Sequence, residues 1–205
     1  MAERGLLILG HGRYDLPWHT LGLTGLTLAL YLLLGPAPEI LILDREAIVA
    51  GEWWRLITGH WVHGDLQHLL LDTVGLFILS LLFERRPVWI YGAFLVAAML
   101  LQDLMLLWWL PWIESYCGLS GLLNALLAGG MLQLWRDSGD RLYLLVLAAA
   151  AGKIVVEISL GQALFSDTLW PPLPEAHAFG LISGALLSIP LLHGRSSRKP
   201  SQFSG

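Results

Sequence analysis

Residues 88–110, VWIYGAFLVAAMLLQDLMLLWWL, form an apolar run in which Asp103 is the one charged residue. About 20 apolar residues in an α-helix cross the hydrocarbon core of a bilayer. The composition of the chain agrees, because 56% of its 205 residues are hydrophobic and 14% are charged, whereas soluble domains carry about 25% charged residues. A soluble chain this short would expose apolar patches that aggregate. The sequence therefore predicts an all-α, polytopic membrane protein.

Six apolar runs of this kind predict a single six-helix membrane domain over residues 1–195, followed by a short polar cytoplasmic tail at residues 196–205. Polar or helix-breaking segments separate the runs, among them the polar turn at residues 136–140. The first run is not expected to be a cleavable signal peptide, because residues 36–38 offer no small-residue cleavage site. The predicted spans are Trp18–Leu34, Leu66–Phe83, Val88–Leu110, Gly118–Trp135, Leu142–Leu160 and Ala176–Leu192.

The distribution of basic residues predicts the orientation of these spans. Nine of the twelve Lys and Arg residues lie on one side of the predicted membrane: Arg4, Arg13, Arg85, Arg86, Arg136, Arg141, Arg195, Arg198 and Lys199. The positive-inside rule then places both termini in the cytoplasm. The longest segment between spans, residues 39–64, faces outward and is expected to lie in the membrane interface.

Three of the spans carry polar side chains at one depth, near the outer face. They are His68 and Asp72 on span two, Ser120 on span four and His177 on span six. Such residues are costly in a bilayer, so each is a functional candidate. A serine becomes nucleophilic when an imidazole takes its proton, and the amino end of a helix suits an oxyanion. Small residues would let spans four and six approach closely: Gly121, Ala125 and Gly129 on one, Ala176, Gly180 and Gly184 on the other.

His68 and Asp72 share a helix face and are candidates to bind or support that oxyanion. His68 is the better donor, because an ionised carboxylate repels negative charge. Asp65 is the predicted N-cap of the helix, and His63 precedes the helix, off the His68 face. The single cysteine, Cys117, excludes an internal disulfide and a multi-cysteine metal site, and packing is its predicted role.

These residues also have structural interpretations. A serine in a membrane helix usually serves in packing, and a histidine at the start of a span is often interfacial. His63, His68 and Asp72 would make a partial metal site, but no further ligand stands at suitable spacing, so neither a metal nor another cofactor is predicted. Lys153 and Glu157, four residues apart on span five, are expected to neutralise each other, with a proton relay as the alternative.

Five short motifs follow one another between Trp54 and Gly184. They are Trp54-Arg55, His63-Gly-Asp-Leu-Gln-His68-Leu-Leu-Leu-Asp72, Glu84-x-Arg86, Gly118-Leu119-Ser120-Gly121, and His177-Ala-Phe-Gly180-Leu-Ile-Ser-Gly184. In this order and on these spans they resemble the rhomboid family of intramembrane serine proteases. The chain departs from most of that family at Asp72, where asparagine is usual, and at Asn124, where tyrosine is frequent.

The resemblance implies that Ser120 attacks a scissile carbonyl, with His177 as base and then as acid. It implies a dyad, with no buried carboxylate positioned to orient His177. The Ser120 backbone N–H and the His68 side chain would bind the oxyanion. Other residues would support the site or the fold: Asp72, Gly118 and Asn124 beside the oxyanion, His63 and Cys117 as possible accessories, and Trp54, Arg55, Glu84, Arg86, Gly180 and Gly184 as structural residues.

Small size, Asp72 and the position of Cys117 directly before Gly-Leu-Ser-Gly resemble one bacterial branch, the rhombosortases. This implies a bacterial inner-membrane protein with its site toward the periplasm. Substrates would be anchored proteins with a carboxy-terminal Gly-Gly, apolar-helix and basic-tail signal, with possible transfer to a membrane-lipid-derived amine. The loop Gly161–Glu175, which contains Trp170, is the expected lid.

Two other functional classes fit parts of the sequence. A non-catalytic rhomboid-like chaperone or adaptor would keep Trp54-Arg55 and the glycine motifs, but such proteins usually lack the serine–histidine pair. A small ion-coupled transporter would use Lys153, Glu157, Asp72 and Asp103, which are expected on scattered faces. The net charge of −4 gives no reason to expect nucleic-acid binding.

Overall fold

The computed structural model describes residues 16–84, 86–164, 168, 170 and 172–193. Within these residues the chain is mainly helical, and each of the six predicted spans coincides with a long helix. The elements follow in the order α1 (Trp18–Leu34), β1 (Leu43–Asp44), α2 (Arg45–Val49), α3 (Arg55–Thr58), a 3₁₀ turn (Gly59–Trp61), α4 (Leu66–Ser80), α5 (Val88–Trp109), β2 (Ser115–Tyr116), α6 (Ser120–Ser138), α7 (Leu142–Leu160) and α8 (Pro174–His193).

Two of these helices, α5 and α7, are long and apolar enough to cross a membrane by length and composition, among the residues described. The helices α1 and α4 are apolar but shorter. The six-span core therefore stays a prediction. The polar tail at 196–205 lies outside the described residues. So do six of the nine basic residues used for the orientation: Arg4, Arg13, Arg85, Arg195, Arg198 and Lys199.

Two predicted helix ends were wrong by a few residues. Helix α4 ends at Ser80 rather than at Phe83, because Phe83 leaves the helix and stacks on Tyr91 at 5.3 Å between ring centroids. Helix α6 continues through the first part of the predicted polar turn to Ser138. It ends there because Gly139 takes a left-handed conformation with φ of 73°, which closes a helix at little steric cost for glycine.

The first loop is a folded unit, and it contributes one strand to a small two-stranded sheet, an exception to the all-α prediction. Strand β1 pairs antiparallel with β2, with Leu43 opposite Tyr116. The buried Arg55 donates to Glu52 and to the carbonyl oxygen of Ile42, so it ties α3 to the segment before β1. The indole N–H of Trp54 donates to the carbonyl of Ile40 at 3.1 Å. This loop thus fixes the position of the chain that leads into α4.

Glu84 joins the end of α4 to the start of α1. Its carboxylate accepts hydrogen bonds from the backbone N–H groups of His19 and Thr20 and from the Thr20 hydroxyl, at 2.8–3.0 Å. Burial disfavours the charged form, but these hydrogen bonds outweigh it and lower the pKa of Glu84 below its usual value. The N–H groups of a first helical turn lack intrahelical acceptors, so Glu84 serves as a cap from a distant part of the chain. Arg86 lies beside it and donates its backbone N–H to Phe83.

Among the described helices, α6 and α8 pack against each other most extensively. A Cβ atom added to Gly180 would collide with the backbone oxygen of Gly121, and one added to Gly184 would collide with the backbone of Ala125. These are the small residues from which close packing was predicted, and the prediction of close approach is confirmed. We call this contact the α6–α8 seam; it leaves room for backbone against backbone and for no side chain larger than hydrogen at these glycines.

Candidate active site

Ser120 and His177 meet at the end of the α6–α8 seam where both helices begin. Ser120 is the first residue of α6, and His177 lies in the first turn of α8. The Nε2 atom of His177 is 3.1 Å from the Oγ atom of Ser120, a hydrogen-bond distance. Both side chains line a cavity of about 230 Å³. A nucleophile and a base in contact on the wall of a cavity can act on a bound carbonyl group.

The backbone before Ser120 is held in a conformation that requires glycine. Gly118 has a φ of +115°, and a Cβ atom there would collide with the imidazole of His68. The carbonyl oxygen of Gly118 accepts a hydrogen bond from the hydroxyl of Tyr116, and its N–H donates to the carbonyl of Gly59, both at 3.0 Å. Since α6 begins at Ser120, the backbone N–H groups of its first turn have no intrahelical acceptor.

Asp72 lies at the centre of a second cluster on the same cavity. Its Oδ2 atom accepts the backbone N–H of Leu119 at 2.8 Å. The Nε2 atoms of His63 and His68 lie 3.2 Å and 3.3 Å from the same oxygen, and the two imidazole rings meet edge to face at 5.0 Å. Asp65 caps α4 as predicted, through the N–H of His68. His63 precedes α4, as predicted. It does not share the helix face of His68, but its side chain still reaches Asp72.

Two further predicted residues, Asn124 and Cys117, lie around Ser120, together with Tyr116, which was not among the predicted residues. Asn124, one turn along α6, donates from Nδ2 to the carbonyl of Ser120 at 2.8 Å. Cys117 is buried, and burial together with the nearby charges of Asp72 and Asp65 raises the pKa of its thiol to about 12. Burial also raises the pKa of Tyr116. A thiol with so high a pKa stays protonated near neutral pH and is a poor nucleophile.

The expectation that no buried carboxylate orients His177 is wrong. Glu157 of α7 is fully buried, and its Oε2 atom lies 3.3 Å from the Nδ1 atom of His177. Its other oxygen, Oε1, accepts from the ammonium group of Lys153 at 2.6 Å and from the backbone N–H of Leu164 at 2.9 Å. The predicted pairing of Lys153 with Glu157 is thus confirmed, but the pair also touches the histidine. A charged residue within a span is a functional candidate by default, and this signal was present in the sequence.

The expectation that the ionisable residues of the spans lie on scattered faces is also wrong for three of the four. Asp72, Lys153 and Glu157 all line the cavity that contains Ser120. Asp103 lies elsewhere, where its Oδ1 atom is 2.9 Å from the Nε2 atom of the buried His60. The rotation of one helix against its neighbours decides which residues meet, and a sequence pattern does not supply it.

The described part of the loop Gly161–Glu175 lies along the same cavity. Thr168, Trp170, Pro172 and Leu173 are among the lining residues. The Trp170 side chain packs so closely on Gly64 that a Cβ atom at that glycine would collide with it. The loop is shorter than predicted, because α8 begins at Pro174, and residues 165–167, 169 and 171 lie outside the described residues.

The chain matches the model of a known protein family. The family model described as Rhomboid domain matches residues 50–194, a region that runs from the first loop to the end of α8. No curated protein matches the chain. The matched region contains Ser120, His177 and every other residue of the cavity wall.

Proposed function

The chain belongs to the rhomboid family, whose members are integral membrane serine proteases that act on membrane proteins, and we propose that Ser120 and His177 are its catalytic residues. The observation that carries the proposal is the 3.1 Å contact between His177 Nε2 and Ser120 Oγ on the wall of a cavity. The alternative of a structural serine is less suited to this contact, because a packing serine in a helix usually bonds to its own backbone.

In the proposed reaction, Ser120 Oγ attacks the scissile carbonyl while His177 Nε2 takes the hydroxyl proton. The imidazolium then donates that proton to the leaving amine, and water repeats the sequence to release the acyl group. The negative charge that develops on the carbonyl oxygen is stabilised by the Ser120 backbone N–H at the start of α6. Removing one such donor typically lowers the rate by about 10²–10³-fold.

His68 is proposed as the second donor beside the oxyanion, after the Ser120 backbone N–H. Its ring lies against Gly118 and its Nε2 atom is 3.3 Å from Asp72. A carboxylate in this place holds the imidazole in one orientation, as carboxylates do for functional histidines elsewhere. The Leu119 N–H donates to Asp72 at 2.8 Å and holds the loop, so the Ser120 N–H is the proposed backbone donor. The Nε2 atom of His68 has the longer contact with Asp72, 3.3 Å, and is proposed to donate to the oxyanion when the substrate is bound.

The proposed substrate is a membrane-anchored protein that is cut near the outer leaflet of a bacterial inner membrane. The rhombosortase-like features are Asp72, Cys117 and the small size of the chain; they favour a substrate with a carboxy-terminal Gly-Gly followed by an apolar helix and a basic tail. Membrane lipid surrounds the enzyme and is the proposed source of an amine acceptor. The Trp170 loop lies along the cavity and is proposed to open for the substrate.

The test of the catalytic proposal is labelling of the purified full-length protein in detergent with a rhodamine-linked fluorophosphonate. We expect labelling of the unmodified protein and its loss in Ser120→Ala and in His177→Ala. Melting temperatures of the three proteins serve as the folding control. Labelling that persists in Ser120→Ala, or no labelling of the folded unmodified protein together with no cleavage of the reporter described next, would overturn the proposal.

The test of the substrate class is co-expression with a reporter that ends in Gly-Gly, an apolar helix and a basic tail. Cleavage should depend on Ser120 and should fall when the Gly-Gly is replaced by Val-Val in the matched reporter. Mass spectrometry of the new carboxy terminus separates a free acid, which hydrolysis gives, from an amide, which transfer to an amine gives. Equal cleavage of both reporters would contradict the Gly-Gly preference while leaving protease activity intact.

A further inference from the structure

We propose that Glu157 is a positioning residue for His177, so that the site contains a chain of hydrogen bonds from Glu157 through His177 to Ser120. The inference rests on the proposed function, because it gives a role in that reaction to a residue of α7. The two nitrogen atoms of His177 have different partners: Nδ1 lies 3.3 Å from Glu157 Oε2, and Nε2 lies 3.1 Å from Ser120 Oγ.

The chemistry of the imidazole makes the Glu157 contact decisive. A neutral imidazole carries one proton, on Nδ1 or on Nε2. An ionised carboxylate only accepts hydrogen bonds, so Glu157 requires the proton of His177 to be on Nδ1. Nε2 then keeps its lone pair and can take the hydroxyl proton of Ser120. The opposite tautomer would leave Ser120 with no base, since a protonated Nε2 cannot accept.

The surroundings of Glu157 fix both its position and its charge. Its side chain is fully buried, and a buried carboxylate is stable only when it is paired and hydrogen-bonded. Lys153 and the backbone N–H of Leu164 bond to Oε1, at 2.6 Å and 2.9 Å. Oε2 is thereby left to face His177, and Lys153 supplies the counter-charge.

The position of Glu157 on α7 also supports the role. Helix α7 lies at the edge of the bundle, and Ile154 and Glu157 are its buried residues. Much of the rest of the helix is exposed, so the helix reaches the interior of the protein chiefly at this turn. An ionisable side chain is an expensive choice for a packing contact in a membrane protein, whereas its contact with His177 gives it a chemical use. Lys153 and Leu164 are therefore supports of the positioning residue.

The substitution Glu157→Gln separates positioning from structure. The amide oxygen of glutamine can still accept from Lys153 and Leu164, so the structural bonds are kept. The amide NH₂ group then faces His177 Nδ1 and donates to it, which moves the histidine proton to Nε2. A purely structural role predicts a nearly normal protein, and a positioning role predicts a folded protein whose serine is not activated.

The first measurement is the second-order rate of fluorophosphonate labelling of the full-length protein in detergent. We expect Glu157→Gln to lower it by at least about 10²-fold, as loss of the correct tautomer does in serine proteases. Glu157→Asp, which keeps the charge, should lie between Glu157→Gln and the unmodified protein. The matched control is Glu46→Gln, the same chemical change at an exposed residue of α2, which should stay within about twofold by the usual rule for surface substitutions. Labelling of Glu157→Gln within about threefold of normal would overturn the inference.

The second measurement is the tautomer of His177 by ¹⁵N NMR of histidine-labelled protein, assigned by comparison with His177→Ala. We expect the proton on Nδ1 in the unmodified protein and on Nε2 in Glu157→Gln. The same tautomer of His177 in both proteins would overturn the inference. This readout does not require activity, so it decides the role of Glu157 even if the unmodified protein is not labelled and the proposed function fails.

Discussion

Two of the histidine–carboxylate pairs among the described residues, His60–Asp103 and His177–Glu157, differ in almost everything except their chemistry. His60 and Asp103 are both almost fully buried, 2.9 Å apart. His177 and Glu157 are 3.3 Å apart, and their histidine opens onto the cavity. Among the described residues, the side chains of His60 and Asp103 make no hydrogen bond to a residue of the cavity wall. His177, in contrast, contacts Ser120 through its other ring nitrogen.

A close histidine–carboxylate contact does not by itself make a catalytic site. His60 joins the 3₁₀ turn of the first loop to α5, and its ring packs against Tyr116 at 5.6 Å, so its pair holds the loop on the bundle. His177 has a hydroxyl on the nitrogen opposite its carboxylate and space in front of that hydroxyl. These two features make the second pair suitable for general base catalysis.

The largest effect is expected when the histidine of each pair is replaced by alanine. His177→Ala should lower the fluorophosphonate labelling rate by at least about 10³-fold, because Ser120 loses its base. His60→Ala leaves Asp103 buried without its partner, which typically costs about 3–5 kcal/mol of stability, but the folded fraction should label within about tenfold of normal. Labelling rate per folded molecule and melting temperature measure the two effects. Equal loss of labelling in the two variants would contradict the different roles of His177 and His60.

The next effect concerns the α6–α8 seam that brings His177 to Ser120. Gly180→Ala places a methyl group against the backbone of Gly121, and overpacking of this kind typically costs about 1–3 kcal/mol. Separation of the helices should also slow labelling by about 10²-fold, the usual result of misplacing a reacting group by about 1 Å.

The matched control for the seam is Gly152→Ala on α7, where an added Cβ atom meets nothing within 4 Å. Its labelling rate should stay within about twofold of normal and its melting temperature should not fall, because alanine is the better helix former. The same loss at both glycines would show that the seam is not the reason for the effect at Gly180.

A smaller effect is expected at Asp72, the other carboxylate that lines the cavity. In Asp72→Asn the amide oxygen can still accept the N–H of Leu119, the 2.8 Å bond that holds the loop before Ser120. We expect labelling to fall by less than about tenfold, since the charge beside His68 is lost and the loop is kept; one net hydrogen bond is worth about 1 kcal/mol. Asp72→Leu, which removes the acceptor, should lose more. A fall as deep as that of Ser120→Ala would show that the charge itself is essential.

The smallest effect is expected at Cys117, which lines the cavity but packs as an apolar group. Cys117→Ala should leave labelling within about threefold of normal, because it removes one buried sulfur atom and leaves Ser120 and His177 in place; its cost is that of a small cavity. Its pKa of about 12 means that the thiol is protonated at pH 7–9, and the rate of alkylation by iodoacetamide should rise steadily with pH across that range. Rapid alkylation at pH 7, compared with the protein unfolded in SDS, would contradict this protonation state.

Much of the fold was predictable because hydrophobic runs and breaking residues act locally. The bounds of α1 and α7 agree with the predicted spans residue for residue, and the others differ at their ends. The errors at Phe83 and Ser138 come from contacts and turn geometry that lie outside the run itself. The two-residue strand β1 was missed because its partner, β2, is about 70 residues away along the chain, and so short a segment has no periodicity of its own.

The candidate site was predictable to the extent that its residues belong to motifs. Ser120, His177, His68 and Asp72 lie on the cavity wall, and the glycines of the seam have the close contacts that their spacing indicated. Glu157 was assigned to Lys153 alone, because the i,i+4 spacing of that pair is a local signal. Its second contact crosses from α7 to α8, a relation for which the sequence has no local sign.

Composition and short motifs are properties of neighbouring residues, so the amino-acid sequence was enough to predict a membrane protein, the order of its helices, and Ser120 and His177 as catalytic candidates. Which carboxylate faces which histidine became visible in the packed helices alone. That choice depends on the rotation and depth of packed helices, and both Asp103 and Glu157 satisfy the same local rules. The α6–α8 seam brings His177 to Ser120, and the turn of α7 at Glu157 places a third residue behind them.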